Sequence, residues 1–238
     1  AERDVVTRAA RVRDEICPLM TSLREKIDRA EARRSLGLPE DRRIVLLSCG
    51  SMGCGPMKKL ASILEQNMSV GCDLTIVCGT NEKLYKKLVK KYAGSRNIHV
   101  TGYVQNMSLL LDSADLYLTK PGGISVTEAA VKHLPMVLID AVAGCELYNR
   151  IHFIRLGGAQ TEAEVTELAE VCLTLLEESQ RLIRMQEKMK SQSMPNAAMS
   201  IYDTMEQQCE VLATVKEKIE TSDMIDYLRM MEKGFKTI

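Results

Sequence analysis

The sequence contains no tryptophan and only two phenylalanines in 238 residues, and aromatic side chains make up 4% of it. A core built from this chain must therefore be filled by leucine, isoleucine, valine and the 14 methionines. The chain also lacks an excess of one charge, since 32 basic residues balance 32 acidic ones. This balance excludes a globally basic surface, so we expect no nucleic-acid partner.

Long apolar runs are missing as well. No stretch approaches the roughly 20 apolar residues that a membrane-spanning helix needs, and the first residues do not open a signal peptide. We therefore expect a cytoplasmic protein that at most lies on a membrane surface.

The eight cysteines are scattered, mostly within apolar stretches, and no CxxC pair occurs among them. With only three histidines, the sequence offers no zinc ligand set. We expect reduced cysteines that serve as small hydrophobic residues in a reducing cytosol, and no metal site.

Short apolar runs alternate with amphipathic segments between residues 43 and 160, which is typical of a doubly wound α/β domain with a parallel sheet. The predicted strands are Ile44 to Leu47, Leu74 to Val77, Ile98 to Thr101, Leu116 to Leu118 and Met136 to Ile139. The predicted helices are Met57 to Asn67, Glu82 to Tyr92, Ser108 to Asp112 and Val126 to His133. From Glu162 onward helical spacing dominates, and Pro195 interrupts it.

We accordingly divide the chain into three parts: a helical segment or linker at 1–34, an α/β domain at 35–204 and a C-terminal helical segment at 205–238. In a doubly wound sheet, ligands bind outside the carboxyl ends of the strands. The loops that follow the strands are therefore where function is expected.

The loop after the first strand, Ser48 to Pro56, is rich in glycine. Such a loop lets backbone N–H groups and a helix N-terminus approach an anion closely. It lacks the closing GK[ST] of a P-loop, and its spacing is GxxGxG instead of the GxGxxG of a dinucleotide site. Taken alone, the loop is equally compatible with a simple tight turn.

The loop after the fourth strand is more informative. Gly122 and Gly123 are followed by hydroxyl residues that open a helix, and this arrangement favours a phosphate or diphosphate. Glu128 lies where a carboxylate can accept hydrogen bonds from a ribose diol, although ordinary dipole matching also explains it. After the fifth strand, Gly144 to Asn149 offer polar groups that could hold a sugar. Asp112 and Asp115 are expected to be helix caps or surface residues.

Six motifs occur in one order along the chain: Gly50-Ser51-Met52-Gly53, Val77 to Asn81, Gly102-Tyr103-Val104, Thr119 to Gly123, Thr127-Glu128-Ala129 and Gly144 to Asn149. Together they resemble the donor-binding half of a GT-B glycosyltransferase, one of two Rossmann-like halves in that fold. More narrowly, the chain is similar to the group of monogalactosyldiacylglycerol synthases and processive diacylglycerol glucosyltransferases. The peptidoglycan N-acetylglucosaminyltransferase is a more distant member. The resemblance runs from about Glu31 to Met205.

The resemblance implies a UDP-sugar donor and no cofactor or metal. It implies that Tyr103 and Val104 frame a uracil, that Glu128 binds the ribose hydroxyls and that Ser51 faces the phosphates or the acceptor. The diphosphate would lie at Gly123, Ile124 and Ser125. The donor-site residues implied in this way are Gly50, Ser51, Met52, Gly53, Gly79, Tyr103, Val104, Pro121, Gly122, Gly123, Ile124, Ser125, Glu128, Cys145, Glu146 and Asn149.

Glu146 and Asn149 would reach the donor sugar. Many relatives carry glutamine where this chain has Cys145, and a thiol donates weakly, so the hexose is left open among galactose, glucose and N-acetylglucosamine. The family transfers its sugar with inversion, and helix N-termini stabilise the departing diphosphate. No Asp-x-Asp metal motif is present.

A GT-B enzyme also needs an acceptor domain, and only about 30 residues precede the donor domain here. We therefore expect binding of UDP-hexose with little transfer by this chain alone, a diacylglycerol-type acceptor bound by a missing N-terminal domain, and no identifiable catalytic base. A noncatalytic subunit that retains the donor fold and an N-acetylglucosaminyltransferase-type donor domain are the alternatives. A UDP-sugar epimerase of the same fold is a third possibility. Its chemistry also needs both domains and a set of acidic residues that this sequence lacks.

Two surfaces suggest further partners. The basic run Lys83 to Lys91 fits an anionic membrane surface, although the pattern favours a solvated helix face with Leu84, Leu88 and Val89 toward the core. The location would then be peripheral, on the inner face of the plasma membrane. Met224, Leu228, Met231 and Phe235 suggest self-association through the C-terminal helix.

Overall fold

The computed structural model describes residues 26–139, 144–192 and 199–208. Its strands are β1 (Arg43–Ser48), β2 (Cys72–Val77), β3 (Ile98–Thr101), β4 (Leu116–Thr119), β5 (Met136–Leu138) and β6 (Ala159–Gln160). Its helices are α1 (Arg29–Leu36), α2 (Met57–Asn67), α3 (Glu82–Tyr92), α4 (Met107–Ser113), α5 (Gly123–Val131), α6 (Cys145–Leu156), α7 (Val165–Glu177) and α8 (Ser179–Gln192).

The six strands form one parallel sheet in the order β3-β2-β1-β4-β5-β6. The chain winds outward from β1 to β3 and then returns to the other side of β1 for β4. The point between β1 and β4 is therefore the topological switch point, where such sheets bind their ligands. The predicted doubly wound fold is confirmed.

Both faces of the sheet are covered, as apolar strands require. On one face Val45, Leu47, Leu74 and Ile76 pack with α2, α3, α7 and α8. On the other face Leu46 and Tyr117 pack with α4, α5 and α6. The two faces together supply the aliphatic core that the composition requires.

The prediction of the elements was accurate where the hydrophobic pattern was strong. Helices α2 and α3 have the predicted bounds, and the five predicted strands are present within two residues. Strand β6 was not predicted, because two residues carry no periodicity. Helix α6 was not predicted either, since Cys145 to Asn149 were interpreted as part of a loop, whereas the helix begins at Cys145.

The sheet and its helices lie in one compact unit, Ser22–Pro195. Of the second unit, the structure describes residues 199–208, which are helical. The predicted helical segment before residue 26 and most of the C-terminal segment, including its proposed self-association face, lie outside the described residues. The domain limits at 34/35 and 204/205 stay predictions.

Asp115 joins α1 to the sheet. Its carboxylate accepts hydrogen bonds from the Ile44 backbone N–H at 2.7 Å and from Arg33 Nη2 at 2.7 Å, while Arg29 Nη1 lies 2.7 Å from its other oxygen. The Asp115 N–H in turn donates to the Ile44 carbonyl at 2.8 Å. One side chain therefore fixes the start of β1, the start of β4 and the position of α1.

Asp112 forms a second buried ion pair. Its Oδ2 lies 2.6 Å from Lys132 Nζ, and both side chains are 2% exposed. The expectation that Asp112 and Asp115 are caps or surface residues was therefore wrong. Their basic partners lie 20 and about 80 residues away in sequence, and only the packing of α4 against α1 and α5 brings them together.

The loops after β1 and β2 touch backbone to backbone. The Thr80 N–H donates to the Ser51 carbonyl at 2.7 Å, and Asn81 Nδ2 donates to the Gly53 carbonyl at 3.2 Å. Gly53 and Gly79 both have positive φ, at 54° and 58°. A Cβ on Gly53 would lie 2.1 Å from the Cys78 carbonyl oxygen, and one on Gly79 would lie 2.1 Å from that of Ser51. Glycine is required at both positions for this contact to form.

We predict that Gly53→Ala and Gly79→Ala each lower the free energy of unfolding by more than about 2 kcal/mol, because each adds a clash with backbone to an unfavourable φ. Urea unfolding of the chain measures this. Gly71→Ala is the matched control: its Cβ would meet nothing within 4 Å, so its change should stay within about 1 kcal/mol. Equal effects at all three glycines would contradict the interpretation.

We predict that Lys132→Met destabilises the fold by about 3–5 kcal/mol at pH 8, because it leaves the Asp112 carboxylate buried without its counter-ion. Burial raises the pKa of Asp112, while Lys132 lowers it, so losing Lys132 raises the folded-state pKa further. The pKa of Asp112 is then higher in the folded state than in the unfolded state. The stability that protonated Asp112 contributes is therefore fully present below the unfolded-state pKa and is lost as the pH rises through the folded-state pKa.

The deficit of Lys132→Met relative to the unmodified chain should accordingly shrink as the pH is lowered toward about 4. Urea unfolding at several pH values measures it. The double variant Lys132→Met, Asp112→Leu is the control and should recover most of the loss. A deficit that does not depend on pH would show that Lys132 contributes only packing.

Candidate functional site

A cavity of about 310 Å³ lies at the carboxyl ends of β1, β2 and β4, at the switch point of the sheet. Seven of the predicted site residues line it: Gly50, Ser51, Gly79, Tyr103, Val104, Ile124 and Ser125. Five residues that were not predicted line it as well: Ser48, Val77, Gln105, Met107 and Tyr117. The structure thus brings three separate sequence motifs together in one depression.

The start of α5 forms one wall of this cavity. Gly122 is the N-cap and no described side chain caps the helix, whereas Asn81 caps α3 and Asn106 caps α4. The first N–H groups of α5 are therefore not used by a side-chain cap, and they carry the positive end of the helix dipole. Such a helix start favours an anion in the cavity.

The start of α6 supports the glycine loop in front of α5. Asn149 Nδ2 donates to the Pro121 carbonyl at 2.9 Å, and a Cβ on Gly122 would lie 3.9 Å from Glu146 Oε1. Glu146 and Asn149 thus lie against the loop in front of α5, and their role toward a donor sugar stays a prediction. Cys145 begins the helix, and residues 140–143 before it lie outside the described residues.

Several large apolar side chains near the cavity are exposed. Tyr103 is 66% exposed and Ile124 is 75% exposed, and both line the cavity. Met52, in the loop after β1, is 68% exposed. A flat aromatic ring that is free on one face can stack on a planar ligand, so Tyr103 has the exposure that the predicted stacking requires.

Of the predicted residues whose side chains the structure describes, eight do not line the cavity: Met52, Gly53, Pro121, Gly122, Gly123, Glu128, Glu146 and Asn149. Glu128 is half-buried on α5, beyond the residues that line the cavity, and its role toward a ribose stays a prediction. Gly53 is buried against Cys78 and holds the two loops together. Its function in this structure is thus to position neighbouring residues.

The floor of the cavity contains Ser48 and Tyr117, which sequence reasoning missed. Tyr117 belongs to a predicted strand and is 1% exposed, whereas Ser48 begins the predicted glycine-rich loop but was not among the predicted site residues. Burial raises the pKa of Tyr117, while hydrogen bonding with the hydroxyls of Thr119, Ser125 and Ser48 lowers it. A tyrosine between two leucines inside strand β4 was the available signal.

A larger cavity, of about 710 Å³, lies on the other side of the loop after β1 and is lined by residues such as Lys58, Lys59 and Asn81. Gly53 is the single predicted site residue that it contacts. Because the other motifs converge on the smaller cavity, we assign the candidate site there despite the difference in volume.

The cysteines behave mainly as apolar residues. Among those described, Cys49, Cys72, Cys78 and Cys172 are buried and free, and Cys54 is exposed. Burial raises the pKa of the Cys49 thiol to about 12 and that of Cys78 to about 11, so both are neutral at physiological pH. Within the described ranges, no cluster of His, Cys, Asp or Glu is arranged to hold a metal ion.

The basic residues of α3 are exposed, and two of them form ion pairs. Lys86 pairs with Glu82 at 3.2 Å, and Lys91 pairs with Glu65 at 2.9 Å. Leu88 faces the core as predicted, but Val89 is 39% exposed, so its assignment to the core-facing stripe was wrong. None of the described helices is long and apolar enough to cross a membrane.

Known proteins with similar sequences include processive diacylglycerol β-glucosyltransferases. The chain is 33% identical over 190 residues to a processive diacylglycerol β-glucosyltransferase of Bacillus mycoides (strain KBAB4), covering 79% of this chain and 48% of the relative. It is 34% identical over 169 residues to the enzyme of the same description from Bacillus cytotoxicus (strain DSM 22905), covering 70% and 43%. The chain thus spans about half the length of these curated relatives.

Solved structures show the same fold at lower identity. MurG of Acinetobacter baumannii superposes with a TM-score of 0.62 at 20% identity, covering 78% of this chain and 55% of that one. Anabaena Alr3699/HepE in complex with UDP superposes with a TM-score of 0.62 at 16% identity, covering 80% and 55%. These similarities establish the fold, which is the Rossmann-like half of a GT-B glycosyltransferase.

A family description matches most of the sheet-forming part of the chain. Residues 44–201 match the glycosyltransferase family 28 C-terminal domain, and this range runs from the second residue of β1 past β6 and contains every residue that lines the cavity. The resemblance drawn from the loop motifs is thereby confirmed. The chain belongs to the glycosyltransferase family 28 C-terminal domain family.

Proposed function

We propose that the cavity at the switch point binds a UDP-hexose and that this chain is the donor-binding part of an inverting glycosyltransferase acting on a diacylglycerol-type lipid. The observation that carries the proposal is the start of α5, which reaches the cavity without a side-chain cap. A UDP complex and a UDP-glucose complex of Anabaena Alr3699/HepE, which shares the fold, support the choice of nucleotide.

The uracil would lie between the exposed ring of Tyr103 and the backbone of Val104, both of which line the cavity. The diphosphate would lie at Gly123, Ile124 and Ser125, where helix N–H groups and the dipole favour negative charge. Glu128 would accept hydrogen bonds from the ribose diol. The nucleotide would then extend along α5.

In the transfer step, a hydroxyl oxygen of the acceptor forms a bond to the anomeric carbon. The bond from that carbon to the UDP oxygen breaks, UDP leaves with the electron pair, and the configuration inverts. Negative charge grows on the diphosphate during this step, so fixed N–H donors at a helix start lower the barrier. No residue of this chain is assigned as the base that takes the hydroxyl proton.

The names of the Bacillus relatives support a lipid acceptor and a glucosyl donor. Because the chain spans about half of those relatives, we propose that acceptor binding requires a second domain and that this chain alone transfers little or no sugar. A location on the inner face of the plasma membrane fits a lipid acceptor. The exposed lysines of α3 would contribute any contact with anionic lipid.

We predict that the chain binds UDP more tightly than 2′-deoxy-UDP by about tenfold, the effect of one hydrogen bond to a charged group. Glu128→Gln should reduce this preference, because it removes the carboxylate charge. Titration calorimetry with both nucleotides measures it. Glu82→Gln, at an exposed helix start away from the cavity, should leave both affinities unchanged. Failure to bind at millimolar UDP would refute the proposal.

We predict that the chain transfers hexose from UDP-hexose to diacylglycerol only when it is joined to the N-terminal half of the Bacillus mycoides relative. Radiolabelled glycolipid measures the transfer, and UDP binding by the joined protein checks that the donor site is intact. Transfer by the chain alone would contradict its dependence on a second domain. A joined protein that binds UDP but makes no glycolipid would contradict the proposed acceptor.

A further inference from the structure

The floor of the cavity gathers hydroxyl groups that the proposed function does not use. In the parallel pair of β1 and β4, Leu46 lies beside Tyr117 and Ser48 lies beside Thr119. Because side chains alternate along a strand, Ser48, Tyr117 and Thr119 share one face of the sheet. Leu46 and Tyr117 pack there with Val126 of α5, the residue after Ser125.

Three of these hydroxyl residues also line the cavity: Ser48, Tyr117 and Ser125. Tyr117 is 1% exposed, and burial raises its pKa while the nearby hydroxyls of Thr119, Ser125 and Ser48 lower it. Thr119 is fully buried, and its Oγ1 makes no well-aligned hydrogen bond within the described part of the chain. The cluster is therefore incompletely satisfied.

A tyrosine hydroxyl donates a single proton, so the three neighbouring hydroxyls compete for it. Ser125 differs from the other two because it stands in the first turn of α5, where an anion is favoured. When Ser125 donates its own proton to an anion, its oxygen becomes a better acceptor, and hydrogen bonds arranged in such a chain strengthen one another. Filling the cavity would thus direct the Tyr117 proton toward Ser125.

We propose that Tyr117 is a positioning residue for the donor diphosphate, with its hydroxyl donating to Ser125 while Ser125 donates to a phosphate oxygen. The inference rests on the proposed function, which supplies the diphosphate. It assigns a role to a buried side chain within the sheet, one layer below the loop motifs. The effect is specific to phosphate, because a ligand without phosphate gives Ser125 no anion to bind.

The test compares UDP with uridine, which share the base and the ribose. Calorimetry on the full 238-residue chain should show that Tyr117→Phe weakens UDP about threefold to tenfold and leaves uridine unchanged. Tyr92→Phe is the matched control: Tyr92 is 5% exposed, belongs to the opposite core and accepts a hydrogen bond from Lys91 at 3.0 Å. It should alter neither affinity.

Equal weakening of UDP and uridine by Tyr117→Phe would show a merely structural role and overturn the inference, and so would unchanged affinities for both. In a Ser125→Ala background, Tyr117→Phe should add no further loss of UDP affinity. Full additivity of the two losses would overturn the route through Ser125.

Ser48→Ala keeps the inference falsifiable if Tyr117→Phe does not fold. Removing a competing acceptor should leave the ratio of UDP to uridine affinity unchanged or raise it, and a fall would overturn the inference. If the unmodified chain binds no UDP, the proposed function fails and this inference fails with it. If it binds UDP and the ratio is insensitive to Tyr117, only the inference fails.

Discussion

The contact between the loops after β1 and β2 is the constraint on which the candidate site depends. Gly53 and Gly79 let two carbonyl groups approach positions where any other residue would place a Cβ. This contact fixes the first loop beside the second, and residues of both loops, Gly50 and Gly79 among them, line the cavity. The glycines of a donor-type loop therefore work in two ways: some line the cavity, as Gly50 does, and others hold its wall in place.

The two ends of the sheet differ in their electrostatic interactions: ion pairs lie at one end and helix N–H groups at the other. At the amino ends of the strands, Asp115 and Asp112 are buried and matched by arginine and lysine, which ties α1, α4 and α5 to the sheet. At the carboxyl ends, the start of α5 reaches the cavity with backbone N–H groups that no described side chain caps. This division explains how a chain with no net charge can favour an anion, because oriented N–H groups supply the field.

The sequence was sufficient to predict the sheet, helices α2 and α3, and seven residues that line the cavity. These features follow from hydrophobic periodicity and from short glycine motifs. It was insufficient where contacts between residues far apart in sequence determine the environment of a side chain. Nothing near Asp112 indicates that Lys132 will neutralise it, and Tyr117 cannot be distinguished from a core tyrosine until Ser48 and Ser125 converge on it. Helix α6 escaped prediction because its apolar residues do not form one stripe: Phe153 is buried, while Ile151 is 37% exposed.

Strand β6 illustrates a further consequence of the architecture. It consists of Ala159 and Gln160 alone, and just after it Thr161 Oγ1 donates to the Leu138 carbonyl at 2.7 Å, so a side chain completes the pairing that a longer strand would make. A parallel sheet that ended on a full strand would offer a row of free backbone groups to another molecule. Ending the sheet on two residues removes that template and protects this edge from intermolecular strand addition, the first step toward aggregation.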